Sequence, residues 1–471
     1  MFVAALSLYL LTLAPTISWA HRGTDGGDLI AAAATLGSAH PPGYPTYVLI
    51  GHLFAQLPIG DVAYRLNLMS AFCMALAAGL TTLGIARVAR TAHPSGALSA
   101  AFGGLTFAVA PAVWSQAVIA EVHALNALCV AAVMCLITPA LLRREPASTR
   151  TLASAAGVWG LGLGNSLTIA ALAPMMLVAW RRSPGKRQAA AAFALGLSVY
   201  AFIPIRAAMS PPIHWGDATN LSNLVSLVTA ELYRPYVFGL PLGQYPTRLI
   251  AFAQMAVAQF GWPGVLIGAW GMLRALPGRS HWRSIVATVA LYAIFAVGYN
   301  AADSDLYLIP VWLFGVWVIA NGALDLLERT GHRVGERMAI GLFAMLIALG
   351  PGVIVITQWA SIDASRDRRA EAFAQAVWVA APPNAILVTA SDAHTFTLWY
   401  YRLVEGRRPD VAVVDVRLAG YAWYVPMLVA QGNAPHLPPV DPEDTWLARL
   451  KAANPSRQVC RIDPLTQAVQ C

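Results

Sequence analysis

Charge is scarce in this sequence. Asp, Glu, Lys and Arg together make up 11% of the 471 residues, against roughly 25% in an ordinary soluble domain. Too few ionic side chains are present to cover a soluble surface of this size. A cytosolic enzyme, a disordered chain and a basic nucleic-acid binder are therefore excluded. Cysteine is also sparse. Cys73, Cys129 and Cys135 lie in apolar runs and read as small core residues, whereas Cys460 and Cys471 share the polar tail. Those two would form a disulfide if the tail faces an oxidising compartment. None of the five has metal-type spacing. There is no GxSxG, HExxH, CxxC pair or P-loop, so hydrolase, zinc-protease and ATPase readings lose support. No internal repeat appears.

What the chain has instead is apolar sequence, 58% of residues with a mean hydropathy of +0.58. A spanning helix needs about 20 residues free of unpaired charge. Runs without Asp, Glu, Lys or Arg cover 1–20, 66–86, 91–120, 122–142, 151–180, 188–205, 249–273, 284–302, 306–324 and 338–362. The first has no positive n-region and is expected to be a retained helix, although Ser18-Trp19-Ala20 resembles a cleavage site. Run 151–180 is broken at Gly160, Gly162, Gly164 and Asn165 and is read as two short helices. The expected architecture is an α-helical polytopic membrane protein with about eleven transmembrane helices.

The net charge of +8 then has a membrane explanation, because basic residues gather in cytoplasmic loops. Arg87 and Arg90, Arg143, Arg144 and Arg150, Arg181, Arg182, Lys186 and Arg187, Arg274, Arg279 and Arg283, and Arg329, Arg333 and Arg337 all follow even-numbered helices. This predicts a cytoplasmic N-terminus, two long outer loops at 21–65 and 206–248 within a membrane domain 1–362, and an outer tail at 363–471. In the first loop, Leu29–Leu36 is expected to lie along the membrane surface and Tyr47–Leu57 is a second candidate interfacial helix. In the tail, a β-like run Ala385–Ser391, a helix-like Asp392–Glu405 and a β-like Asp410–Val416 suggest a small soluble α/β domain with a parallel strand pair. Asp392 falls just past the first strand, as a ligand residue or as a helix cap.

A charge at bilayer depth costs roughly 2.5 kcal/mol or more on insertion scales. Polar residues gathered at the outer helix ends therefore need a reason. They are Asp25 and Asp28, Arg65 and Asn67, Glu121, His123 and Asn126, Asn165, Arg206, and Asn300, Asp303 and Asp305. Singly, each has a bland alternative as a cap, an anchor or half of an ion pair. On one face they point to a substrate chamber. Gly26 and Gly27 between the two aspartates allow tight or left-handed turns and leave a carboxylate uncovered, as a general base requires.

The stretch Thr12–Ala71, TLAPTISWAHRGTDGGDLIAAAATLGSAHPPGYPTYVLIGHLFAQLPIGDVAYRLNLMSA, closely resembles the opening of a family of multi-pass GT-C glycosyltransferases. Its animal members are protein O-mannosyltransferases acting on plexin-type immunoglobulin-like domains, and this chain resembles the bacterial branch. WSQAVIAEVHAL at Trp114–Leu125, GLGLGNSLT at Gly160–Thr168, FIPIRAAMSPPIHWGD at Phe202–Asp217, AELYRPY at Ala230–Tyr236, NAADSDLYLIP at Asn300–Pro310 and WYYRLVEGRRPDVAVV at Trp399–Val414 extend the similarity over nearly the whole chain. The chain departs from the family pattern at three points. Asp28 stands where Glu is usual, Ser166 where His is frequent, and His123 where Tyr is common. The long helical-repeat tail of some bacterial members does not occur.

The resemblance implies a GT-C fold and transfer of a sugar, mannose first, from a polyprenyl-phosphate carrier to a hydroxyl of a protein or glycan acceptor on the outer face. It implies an inner-membrane location, no nucleic-acid partner, and no cofactor or metal, although the Asn300–Asp305 turn is rich in aspartate. Asp25 and Asp28 are the expected catalytic residues, with Asp25 the first candidate for the base. Arg206, Arg65 and Arg234 are candidates for the donor phosphate. His40, Tyr44, Asn67, Glu121, His123, Asn165, Trp215, Asp217, Asp303 and Asp305 are candidate substrate residues, with Trp215 stacking on the sugar and Asp217 binding its hydroxyls. A transporter or flippase of lipid-linked sugars and a non-catalytic scaffold are the competing readings.

Overall fold

The computed structural model describes residues 1–89, 94–275, 282–440 and 443–471. Arg90 and Arg279, used above to orient the chain, lie outside the described residues. The membrane part runs α1 (Phe2–Leu11), α2 (Gly26–Thr35), α3 (Pro45–Ala55), α4 (Val62–Ala89), α5 (Pro94–Val109), α6 (Pro111–Ala117), α7 (Val122–Arg143), α8 (Thr149–Leu163), α9 (Ala173–Arg182), α10 (Lys186–Leu197), α11 (Phe202–Ala207), α12 (Leu221–Val228), α13 (Tyr245–Ala275), α14 (Trp282–Gly298), α15 (Ile309–Val334), α16 (Glu336–Ile347) and α17 (Val353–Ile362). The tail adds α18 (Arg369–Ala380), β1 (Ile386–Thr389), α19 (Asp392–Trp399), β2 (Ala412–Asp415), α20 (Tyr424–Gln431), α21 (Glu443–Ala453), β3 (Val459–Ile462) and β4 (Val469–Gln470).

Among the described residues, six helical stretches are long and apolar enough to cross a membrane. The number rises to seven if α5 and α6, bent by 65°, count as one broken span. The eleven crossings expected from apolar runs are not matched by as many long helices among the described residues, and the reason is local. The first run gives only the ten residues of α1 before the chain turns irregular. Run 91–120 bends where Ala110 turns extended (ψ 127°) ahead of Pro111, because a residue before proline is pushed out of the helical region. Run 151–180 does divide, into α8 and α9 joined by a 3₁₀ turn at Leu167–Leu172, but each half is short. Its break falls after Leu163. Gly160 is not a breaker: a Cβ there would lie 2.3 Å from the Phe193 carbonyl, so it lets α8 and α10 touch backbone to backbone.

Helix α2 does not lie along an exposed surface. Gly26 to Ala33 are all buried, under α3 on one side and the tail on the other. The alanines of this helix are small enough to be covered on several faces. Its two glycines have ordinary helical backbone and serve close packing rather than a left-handed turn. A Cβ on Gly27 would fall 2.2 Å from the Phe396 carbonyl oxygen, so α19 rests directly on the first turn of α2.

The tail forms a four-stranded sheet in the order β2-β1-β3-β4. Strand β1 pairs in parallel with β2 (Thr389 opposite Asp415) and with β3, and β3 pairs antiparallel with β4. A Cys460–Cys471 disulfide ties the last hairpin. The tail is held to the segment leading into the first loop by Ser18, whose hydroxyl donates to Asp367 at 2.6 Å, and by Trp19, whose indole N–H donates to Thr397 at 2.9 Å.

Candidate active site

The first loop, the segments after α12 and α14, the 3₁₀ turn between α8 and α9, the start of α7 and helix α19 enclose a cavity of about 930 Å³. Asp25 forms part of its wall and Asp28, three residues on, does not. Asp28 is fully buried and consumed by the fold. Its Oδ2 accepts from the backbone N–H of His40 at 2.9 Å and from the ring Nδ1–H at 2.8 Å, and its Oδ1 accepts from the indole N–H of Trp215 at 2.8 Å. Asp25 makes no capping bond. Beyond a 3.4 Å contact from Thr24, it faces His40, whose Nε2 lies 3.7 Å from its carboxylate.

The loop His40–Pro45 is shaped for this contact. The Pro41–Pro42 peptide is cis, Gly43 has φ +89°, and Pro45 starts α3 at its first turn. His40 ends up between the two aspartates, buried, with its ring stacked parallel on Phe396 at 6.4 Å. Burial alone would lower the His40 pKa. The Asp25 charge, the Asp28 hydrogen bond and the Asp28 and Glu121 charges outweigh it and raise the ring to about 9. The Asp25 side chain is 38% exposed, but into the recess. Its enclosure raises its pKa to about 6 against the opposing His40 charge, and Asp392, Asp303 and Asp28 add to the rise. Burial, then the Asp25 charge, pushes Glu121 well above the usual carboxylate range.

The remaining expected residues divide sharply. His40, Tyr44, Glu121, His123, Arg234 and Asp303 line the cavity. Asp305 stands behind it and pairs with Arg22, which lines it. Arg206, the first expected phosphate ligand, is instead spent on the end of α2, donating to the carbonyls of Leu36 at 2.7 Å and Thr35 at 3.1 Å. Arg65 ties the carbonyls of Ala55, Ile59 and Gly60 between α3 and α4. Asn67 holds the carbonyls of Ala14 and Thr16, and Asn165 that of Val122. Trp215 is buried with its N–H on Asp28, so its ring does not face the cavity as a stacking platform. Asp217 lies outside the lining, its carbonyl accepting from Asn223.

Arg22, Tyr233 and Phe396 also line the cavity without having been singled out from the sequence, and so does Asp392, which the sequence left between a ligand residue and a helix cap. Arg22 lies three residues before Asp25, and Tyr233 sits beside Arg234, so both were within reach of a local reading. The other two come from the tail, more than 360 residues away in sequence. One flank of the cavity is apolar, with Leu167, Ala170, Ala171, Leu291 and Phe295, and Leu167 and Leu291 are solvent-accessible. The cavity thus joins a carboxylate of raised pKa, cations (Arg22, Arg234 and His40) and an apolar flank. It is fitted to remove a proton and to hold an anion attached to an apolar chain.

Comparisons with known proteins bear on the family and the fold. Residues 25–188 match the family model of the protein O-mannosyl-transferase TMEM260 N-terminal domain, and residues 370–445 match TMEM260-associated domain 2. The mouse protein O-mannosyl-transferase TMEM260 is 27% identical over 94% of this chain and 65% of its own length. The Dictyostelium discoideum protein of that name is 22% identical over 90% of this chain and 57% of its own. The chain thus spans less than two thirds of these curated relatives. Crystal structures of ArnT from Cupriavidus metallidurans superpose with a TM-score of 0.57 when bound to undecaprenyl phosphate (14% identity, 90% of each chain) and 0.53 in the apo state (15% identity, 89% of this chain and 90% of that one). At such identity the likeness shows a common fold. By its two domain matches the chain belongs to the TMEM260 protein O-mannosyl-transferase family, on the GT-C fold that it shares with ArnT.

Proposed function

We propose that the protein is a membrane glycosyltransferase that moves a hexose, mannose first, from a polyprenyl-phosphate carrier to a hydroxyl of a protein or glycan on the outer face of a bacterial inner membrane. The observation that carries this reading is the division of labour in the first loop. Asp28 is locked by three hydrogen bonds, and Asp25 presents a barely engaged carboxylate to the cavity. Asp25 takes the acceptor proton as the acceptor oxygen bonds to C1 of the sugar. The C1–O bond to phosphate breaks, and the electron pair leaves with the carrier phosphate. That leaving group is already anionic, so the site needs no general acid, only cations around it. Arg22 and Arg234 supply them, and the apolar flank at Leu167, Leu291 and Phe295 receives the prenyl chain.

The relatives' names support mannose and a protein acceptor, and the ArnT complex with undecaprenyl phosphate supports a polyprenyl carrier. Transfer of labelled mannose from synthetic polyprenyl-phosphate mannose by purified protein tests the reading. Asp25→Asn is expected to lose at least about a hundredfold in rate while keeping the unfolding temperature of the parent. Full activity in that variant would remove Asp25 as the base.

A further inference from the structure

Two residues of α19, Asp392 and Phe396, line the cavity. They are four apart and so share one helix face. The helix is fixed in position by its contact with Gly27, by the Trp19–Thr397 hydrogen bond and by the Phe396 ring stacked on His40. Asp392 itself follows the carboxyl end of β1, the end at which parallel α/β sheets gather ligands. Its Oδ1 accepts from the guanidinium of Arg417 at 2.7 Å. Arg417 is in turn held by the fully buried Asp415, at 2.6 and 3.0 Å. Among the described residues Oδ2 of Asp392 has no hydrogen-bond partner, and the side chain is 49% exposed. Ser391, not Asp392, is the N-cap of α19, and it makes no side-chain capping bond, so capping does not account for the carboxylate.

We propose that Asp392 binds a ring hydroxyl of the transferred hexose, so that the tail domain supplies part of the donor-sugar subsite. This rests on the transferase reading above. A carboxylate held rigid by an arginine, with one oxygen free and the Tyr44 and Tyr233 side chains lining the same cavity, is a donor–acceptor set that can read vicinal hydroxyls. The Asp392 charge is felt at Asp25 and at Tyr233, which places it at the reacting end of the cavity. An acceptor brings a single reacting hydroxyl to that end, whereas the hexose brings all of its own. The role assigned from sequence to Trp215 and Asp217, which the fold turns away, passes to this helix.

Two lipids of equal chain length, polyprenyl phosphate with and without its hexose, separate the possibilities when their binding to the purified full-length protein is measured. Asp392→Asn is expected to weaken the sugar-bearing lipid about tenfold or more and to leave the sugar-free lipid unchanged. Asp392→Glu, which keeps the charge, recovers part of the loss and covers the case of a poorly folded Asn variant. Equal weakening of both lipids, no weakening of either, or a parent protein blind to the sugar overturns the assignment. A parent that prefers the sugar-bearing lipid in an Asp392-dependent way but transfers nothing overturns the transferase reading and leaves the hexose site standing.

Discussion

His40 touches both acidic residues of the first loop, and the two contacts have different consequences. Toward Asp28 it donates a short hydrogen bond that fixes its ring, and toward Asp25 it presents a charge at 3.7 Å without capturing it. The base must be unprotonated, so activity falls as pH drops through the Asp25 pKa of about 6. The imidazolium must keep its proton, so activity falls again as pH rises through about 9. A profile of kcat/KM from about pH 4.5 to about pH 10 is expected to be bell-shaped with those limbs, and a flat acid limb would count against Asp25. Glu121 gives a sharper test, because burial and the Asp25 charge push its pKa well above the usual carboxylate range. Glu121→Gln, isosteric with a neutral Glu, is expected to retain about half or more of the parent rate. A loss as deep as that of Asp25→Asn would mean that Glu121 works as an anion. Asp25, Glu121 and Asp303 were legible in the sequence, since a carboxylate at the outer end of an apolar run is costly without a task. Arg206 and Arg65 were misread for a related reason. Their position at helix ends is visible, but which carbonyl a guanidinium caps is decided by neighbours distant in sequence.

At the scale of elements, the seam between α2 and α19 decides whether the site is assembled. Gly27 is the residue that permits it. A methyl group there would sit 2.2 Å from a backbone oxygen of Phe396, and backbone cannot swing aside as a side chain can. Gly27→Ala is therefore expected to cost about 1–3 kcal/mol through overpacking. It would also loosen α19, which limited proteolysis detects as faster release of residues 363–471. Gly26→Ala is the control, since its Cβ would lie 3.3 Å from the Ala120 carbonyl, a contact that a small shift relieves. Comparable proteolysis of the two variants would mean that the seam is not tight at Gly27. The β1–α19–β2 unit was visible in sequence because strand and helix patterns alternate over short, unbroken runs. Its docking on α2 was not, because a Gly-Gly pair reads as a turn until the helix that covers it is known. The apolar runs likewise revealed a membrane protein but not the number of its spans, because hydropathy does not distinguish one straight helix from two short ones around a 3₁₀ turn.

For the whole molecule, the cavity, the tail and the disulfide belong together on one side of the membrane. The tail packs on the first loop and the segment leading into it through Ser18, Trp19 and Gly27, so residues 21–65 and 363–471 must share a compartment. The Cys460–Cys471 bond suits an oxidising one. The basic residues argue for the same side by exclusion. Arg87, Arg143, Arg181, Arg182, Arg274 and Arg329 lie toward the C-terminal ends of α4, α7, α9, α13 and α15, and the proposed orientation puts those ends in the cytoplasm by the positive-inside rule. In the bacterial inner membrane proposed above, alkaline phosphatase, which folds only where disulfides form, is expected to be active when fused after Cys471. Green fluorescent protein at the same point is expected to stay dark. The reverse pair of signals would put the tail, and with it Asp25, in the cytoplasm. An outer-face acceptor would then be unreachable, so one pair of fusions tests the orientation on which the proposed direction of sugar transfer depends.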